Sequence, residues 1–106
     1  MKVEVLHIDD CPNWQEAGRR TEAVVAALGR PDVQVIYRSL ASRHEASKTA
    51  FAGSPTIAVD GTDLFPSDGR TPDLACRIYF TPSGLAAMPT EDQIREALLA
   101  VVESLP

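Results

Sequence analysis

Alternating apolar and polar positions open the chain. Over residues 2–8, Val3, Val5 and His7 fall on one face, and this period of two predicts a first strand. From Trp14 onward the apolar positions recur at steps of three and four residues, which predicts a helix with one buried stripe. A strand therefore leads into a helix through a short turn.

The elements that follow alternate in the same way. Capping-box spacings mark the starts of two further helices, and Gly or Pro residues mark the turns. The predicted elements are a strand at 33–37, a helix at 42–53, a strand at 56–59, a loop at 61–73, a strand at 74–80 and a helix at 90–105. The second strand is nearly continuous in apolar residues, as expected for a strand covered on both faces.

The resulting order, βαβαββα, predicts the α/β class. The first two strands are joined through a helix, so they should run parallel with a right-handed crossover, whereas the third and fourth suit an antiparallel pair. A chain of 106 residues, 44% hydrophobic and 24% charged, is expected to form one domain over residues 1–106 with an ordinary core.

The acidic composition argues against some classes of function. A net charge of −5 and a pI near 4.8 oppose a nucleic-acid surface, which needs clustered Lys and Arg, and disfavour anionic membranes. The chain has no run of about 18 apolar residues and no secretory pattern, so we expect a cytoplasmic protein. Its two cysteines and two histidines lack zinc-site spacing, and neither a metal nor a cofactor is expected.

The turn between the first strand and the first helix holds a cysteine, Cys11. Pro12 is favoured at the first helical position, which makes Cys11 the predicted N-cap and directs its sulfur toward free backbone N–H groups. These donors favour the reactive thiolate, while Asp9 and Asp10 oppose a third negative charge. The alternative is a small buried residue at the end of a strand.

Four short motifs carry a resemblance to a known family. They are Cys11-Pro12-x-Trp14, Gly53-Ser54-Pro55-Thr56-Ile57, Val59-Asp60-Gly61 and Cys76-Arg77-Ile78-Tyr79. With the order of elements, they resemble the thioredoxin fold over essentially the whole chain, and more narrowly a group of small bacterial thioredoxin-like proteins, some labelled alkylmercury lyase.

The resemblance implies a central mixed four-stranded sheet with helices on both faces. It also implies a cis peptide bond before Pro55, with this proline against the reactive Cys11. The residues that it places around a substrate are Pro12, Trp14, Ser54 and Pro55.

The chain departs from thioredoxin at one position. Trp14 stands where a thioredoxin has its second cysteine, so a neighbouring resolving thiol is missing. The predicted topology puts Cys76 at the end of the sheet remote from Cys11, while a disulfide needs Cα atoms within roughly 7 Å. We therefore interpret Cys76 as core packing, unless the loop at 61–73 bends back over the site.

Other candidate side chains have simpler interpretations. His7 is expected to be a core histidine with satisfied hydrogen bonds rather than a general base, and His44 to be solvated. Trp14 could shelter the thiol or contact a substrate, but it begins the apolar stripe and fits packing. Asp9 and Asp10 suit a helix N-terminus, and Asp10 could instead give a proton to a leaving group.

Three hypotheses follow. The first is a thiol-dependent redox protein that uses Cys11 as a single nucleophile toward disulfides or other electrophiles, with an external thiol to resolve the mixed disulfide. The second is cleavage of a carbon–mercury bond by Cys11, Cys76 and Asp10, which requires the two cysteines to meet. The third is a non-enzymatic binding module on the same scaffold.

Overall fold

The computed structural model describes residues 1–66 and 73–104. Its strands are β1 Lys2–His7, β2 Gln34–Ser39, β3 Thr56–Val59, β4 Thr62–Asp63, β5 Tyr79–Thr81 and β6 Gly84–Ala86. Its helices are α1 Trp14–Leu28, α2 Arg43–Ser47 and α3 Glu91–Glu103. None of these helices in the described residues has the length and apolarity needed to cross a bilayer.

The central sheet has four strands in the order β2-β1-β3-β4. β1 pairs with β2 in parallel, with Val5 opposite Tyr37, and with β3 in antiparallel, with Val5 opposite Ile57. β3 then pairs with β4 in antiparallel. The mixed sheet, the α/β class and the parallel pairing of the first two strands confirm the predictions from the order of elements.

The fourth strand of the sheet is not the one that the sequence predicted. Asp60 and Gly61 both have positive φ, 48° and 86°, which suits a two-residue hairpin turn and returns the chain at once along β3. β4 therefore takes the sheet edge inside the predicted loop. Residues 74–80 are excluded from that sheet, and only Tyr79–Thr81 forms a strand, in a separate hairpin with β6. Residues 67–72 of the predicted loop lie outside the described residues.

Two further elements differ from their predictions. β2 is an outer strand whose Ile36 and Tyr37 side chains are exposed, so the prediction that it is covered on both faces is wrong. It lies at the sheet edge, and Val35, which packs against the cluster beneath α1, is its partly buried residue. α2 ends at Ser47 rather than near residue 53, because the Thr49 hydroxyl donates to Ala46 O and accepts from Phe51 N–H, which replaces the helical pattern.

Apolar side chains form a cluster on each face of the sheet. On one face the strands pack against α1 and α3, through a cluster that contains Val3, Val24, Ile57, Val59, Ile94 and Leu98. On the other face the cluster contains Leu6, Ile8, Cys11, Leu40, Ala46, Phe51 and Ala58, and α2 covers it. The predicted capping box of α3 forms between Thr90 and Gln93. Leu105 of the predicted apolar face lies outside the described residues.

Candidate functional site

Cys11 lies between β1 and α1 and is buried, with 2% of its surface exposed. Its N–H donates to Ile8 O at 3.3 Å, which closes the turn after β1. The N-cap of α1 is Asn13, whose carbonyl accepts from Ala17 N–H. The prediction that Cys11 is the N-cap is therefore wrong, because the turn that begins at Asp9 continues through Pro12 and Asn13 before the helix starts.

Cys76 forms a disulfide bond with Cys11, and their Cα atoms are 6.1 Å apart. The prediction that Cys76 lies remote from Cys11 is wrong, and so is its interpretation as core packing, since Cys76 is exposed. The physical reason is the exclusion of residues 74–80 from the central sheet. Free of β3, this segment passes along Ser54 instead.

Ser54 joins the two sides of the disulfide through its hydrogen bonds. Its N–H donates to Ala75 O at 2.8 Å and its carbonyl accepts from Arg77 N–H at 2.9 Å, which places Cys76 in a parallel bridge beside it. Its buried hydroxyl accepts from Ile8 N–H at 3.1 Å, at the end of β1. The Ser54–Pro55 peptide bond is cis, as the resemblance implied. Ser54 therefore couples the chain around Cys11 to the segment that carries Cys76.

A buried arginine fixes that segment to the sheet. The Arg77 guanidinium donates to Asp63 Oδ2 at 2.9 Å and to Phe65 O, and it stacks over the Tyr79 ring at 4.5 Å from the centroid. The ion pair is almost fully removed from water, with 7% and 14% of the two side chains exposed. Arg77 thus ties the residue next to Cys76 to β4.

Tyr79 and Gly53 complete the attachment. The Tyr79 hydroxyl donates to Pro55 O, and burial raises the pKa of Tyr79 above its usual value. At Gly53 a side chain would begin 2.7 Å from Arg77 Cβ, and φ is +107°, so this position requires glycine. Sequence reasoning missed Arg77, Tyr79, Asp63 and Gly53. A charged residue inside the apolar pattern of 74–80 was the available signal.

The His7 side chain lies behind the turn, stacked on Trp14 with ring centroids 3.9 Å apart. It is buried as predicted, but its Nδ1 has no hydrogen-bond partner within the described part of the chain, so the prediction of a satisfied histidine is wrong. Asp9 Oδ1 lies 3.7 Å from this nitrogen and accepts a hydrogen bond from the Ser39 hydroxyl. Trp14 packs on His7, as its packing interpretation expected, and also meets the Tyr37 ring.

The sequence-predicted site residues thus fall into two groups. The structure brings Cys11, Cys76 and Ser54 together, and Pro55 follows Ser54 in the chain. Asp10 and Pro12 are exposed in the turn before α1. His44 is exposed on α2, as expected.

A groove of about 520 Å³ opens beside Cys76. Its lining includes Ala75, Cys76, Ile78, Phe80, Phe65 and Gln93. The groove therefore gives a path from solvent to the Cys76 side of the disulfide. Searches against protein-family models, curated proteins and solved structures find no match to this chain.

Proposed function

We propose that this chain is a thioredoxin-like thiol–disulfide oxidoreductase whose Cys11 and Cys76 alternate between dithiol and disulfide. The observation that carries the proposal is the Cys11–Cys76 bond between segments 65 residues apart in sequence. The βαβ unit, the mixed sheet and the cis Ser54–Pro55 bond beside the cysteines support the thioredoxin-like assignment. The second cysteine comes from a distant segment rather than from the turn of residues 11–14.

The cycle needs only thiol exchange. In the reduced protein one thiolate attacks an external disulfide, forms a mixed disulfide and releases the first external thiolate. The second cysteine then attacks the mixed disulfide, forms the Cys11–Cys76 bond and releases the second thiolate. An external dithiol, oxidised in turn to its own disulfide, restores the reduced protein. The second cysteine of the pair thereby takes the resolving step that the sequence alone assigned to an external thiol.

The test is reduction of insulin disulfides by catalytic amounts of protein, with dithiothreitol as the external dithiol. We expect turnover by the wild type and by Ser47→Ala, a change at an exposed residue of α2, and strong loss in Cys11→Ser and Cys76→Ser. A wild-type disulfide that dithiothreitol leaves intact in the folded protein, or equal rates for all four proteins, would contradict the proposal.

Cleavage of a carbon–mercury bond is a second candidate, favoured by the same meeting of two sulfurs. In the reduced protein two thiolates would bind Hg(II), a soft ion, while a carboxylic acid such as Asp10 gives the departing carbon its proton. The products are a hydrocarbon and mercury held by both sulfurs. Benzene released from phenylmercuric acetate by reduced protein, and lost in Asp10→Asn, would support this candidate.

The same mercury assay separates catalysis from binding. A non-enzymatic module would bind phenylmercury stoichiometrically and release no benzene. Benzene released in amounts above the protein concentration, with an added thiol to remove Hg(II), indicates an enzyme.

A further inference from the structure

We infer that external thiols enter this disulfide at Cys76, and that Cys11 is the internal sulfur, which leaves during reduction and resolves during oxidation. The inference rests on the proposed thiol-exchange function. It reverses the role that the sequence assigned to Cys11, whose position suggested a nucleophile facing external substrates.

The two sulfurs differ in access. A thiolate attacks a disulfide at the sulfur it will bond to and along the S–S axis, so it must approach from behind that sulfur. Cys11 is 2% exposed and belongs to the apolar cluster that includes Leu40 and Phe51, so the approach to its sulfur leads through the core. Cys76 is exposed and lines the open groove. An incoming thiolate therefore reaches Cys76 without entry into the core.

Residues 76–80 place Cys76 on an accessible row. Cys76, Ile78 and Phe80 are exposed while Arg77 and Tyr79 are buried, the alternation expected of an extended segment. Ile78 is 65% and Phe80 is 82% exposed, and both line the groove beside Cys76. A thiol that carries an apolar group, such as a cysteine flanked by apolar residues in a polypeptide, would bury that group there.

The exchange then balances as follows. The external thiolate forms a bond to Cys76 Sγ, the Cys11–Cys76 bond breaks, and its electron pair goes to Cys11 Sγ, which can take a proton from the medium. A second external thiolate displaces Cys76 and yields the external disulfide. In the reverse direction Cys76 attacks the external disulfide and Cys11 displaces the external thiolate from the mixed disulfide.

The contacts that hold residues 76–80 allow Cys76 to receive the external thiol while Cys11 resolves the mixed disulfide. Arg77 is held by Asp63, and the Tyr79 hydroxyl is held by Pro55 O, both independently of the disulfide. Cys76 therefore stays near Cys11 while it carries an external group, and resolution remains intramolecular.

The direct test identifies the sulfur that receives the external thiol. Oxidised full-length protein is mixed with 2-mercaptoethanol, a small neutral thiol, and is quenched with acid at a series of short times. Free thiols are then blocked with N-ethylmaleimide and the protein is digested with trypsin. The two cysteines fall in separate peptides, 3–19 and 71–77, because Lys2, Arg19, Arg70 and Arg77 provide the cleavage sites.

The expected result, extrapolated to zero time, is mercaptoethanol on Cys76 and maleimide on Cys11, in at least about tenfold excess over the opposite arrangement. Mercaptoethanol on Cys11, or equal labelling of both, overturns the inference while leaving the exchange function intact. A disulfide that stays closed in the native protein under any thiol is a failure of the proposed function itself.

A pair of variants tests the groove. Phe80→Ala removes an apolar wall, whereas Leu85→Ala removes the exposed cross-strand neighbour of Phe80 on β6. We expect Phe80→Ala to slow reduction by benzyl mercaptan severalfold more than reduction by 2-mercaptoethanol, and Leu85→Ala to leave this ratio unchanged. The same ratio in Phe80→Ala and the wild type overturns the assignment of the groove as the entry path.

Discussion

The two halves of the disulfide are held in place by different means. Cys11 follows β1, a central strand hydrogen-bonded to β2 and β3, and is packed into an apolar cluster. Cys76 lies on a segment whose contacts include a backbone bridge to Ser54, the buried Arg77–Asp63 ion pair and the Tyr79 hydroxyl. The Cys11 half is thus fixed by the sheet, and the Cys76 half by a few side chains whose removal can be tested singly.

The largest expected effect comes from removal of the covalent link itself. Cys76→Ser should lower the free energy of unfolding by about 4 kcal/mol relative to the oxidised wild type, because the bond closes a loop with a sequence separation of 65 residues. Urea denaturation with and without dithiothreitol measures this. The control is the reduced wild type, which should match the variant. Equal stability of oxidised wild type and variant would show that the loop is already constrained without the bond.

The next effect tests the buried ion pair that holds the Cys76 half. Arg77→Met leaves Asp63 with an unpaired, mostly buried charge, and should cost roughly 3 kcal/mol. It should also make the disulfide easier to reduce, because Cys76 spends less time near Cys11 in the dithiol form. The matched control, Arg30→Met, breaks the exposed pair with Asp32 and should cost about 0.5 kcal/mol.

Measurements of stability and of the disulfide equilibrium separate two roles of this ion pair, stabilisation of the fold and positioning of Cys76. The double variant Arg77→Met, Asp63→Leu removes the uncompensated charge and should recover part of the stability. Equilibration with dithiothreitol should still show a more easily reduced disulfide. A disulfide equilibrium unchanged in both variants would mean that the sheet, and not Arg77, positions Cys76.

A smaller effect is expected at the point where the segment passes Gly53. Gly53→Ala should cost roughly 2 kcal/mol, since the new methyl group would meet Arg77 Cβ at 2.7 Å and the residue has positive φ. Gly61→Ala separates the two causes. Gly61 also has positive φ, but no atom of the described residues, its chain neighbours aside, lies within 4 Å of the point where a Cβ would stand, so about 1 kcal/mol is expected. Equal losses in thermal denaturation would assign the whole cost to backbone conformation.

The smallest effect concerns Tyr79. Tyr79→Phe removes the hydrogen bond to Pro55 O and should cost about 1 kcal/mol at neutral pH. Because burial raises the pKa of Tyr79 in the folded protein, its contribution is complete below the unfolded value of about 10 and is lost as pH rises above it. Wild-type stability should therefore fall more steeply than that of the variant above pH 10. Tyr37→Phe, on β2, is the control: burial and Glu22 raise the pKa of Tyr37 as well, so this variant should lose only that part of the fall and keep the part that Tyr79 causes.

Local periodicity was sufficient for β1, α1, β3 and α3. Their signals, an alternation, a helical stripe and a capping box, depend on neighbouring residues alone. The position of Cys76 depends on which segment pairs with β3, and the polar pair Thr62–Asp63 gave no strand signal. The location of the candidate site therefore depends on strand pairing between segments far apart in sequence.

In the segment around Cys76, the buried and exposed positions are the opposite of those that hydropathy predicts. Arg77 and Tyr79 are buried while Cys76 and Ile78 are exposed, so an assignment of Cys76 and Ile78 to the interior is out of register by one residue. The Arg77 guanidinium is buried in spite of its charge because it donates hydrogen bonds to the Asp63 carboxylate and to the Phe65 carbonyl. The sequence could identify Cys11 as the central cysteine, but not its partner.

The disulfide also makes most of the sheet into a covalent ring. The chain between Cys11 and Cys76 contains α1, β2, α2, β3 and β4, while β1, the hairpin of β5 and β6, and α3 lie outside it. A single protease cut within the ring, such as one after the exposed Arg43 or Lys48, leaves both fragments joined in the oxidised protein. The same cut yields two separate fragments after reduction. The mass of a nicked molecule on a non-reducing gel therefore reports the oxidation state of the site without any label.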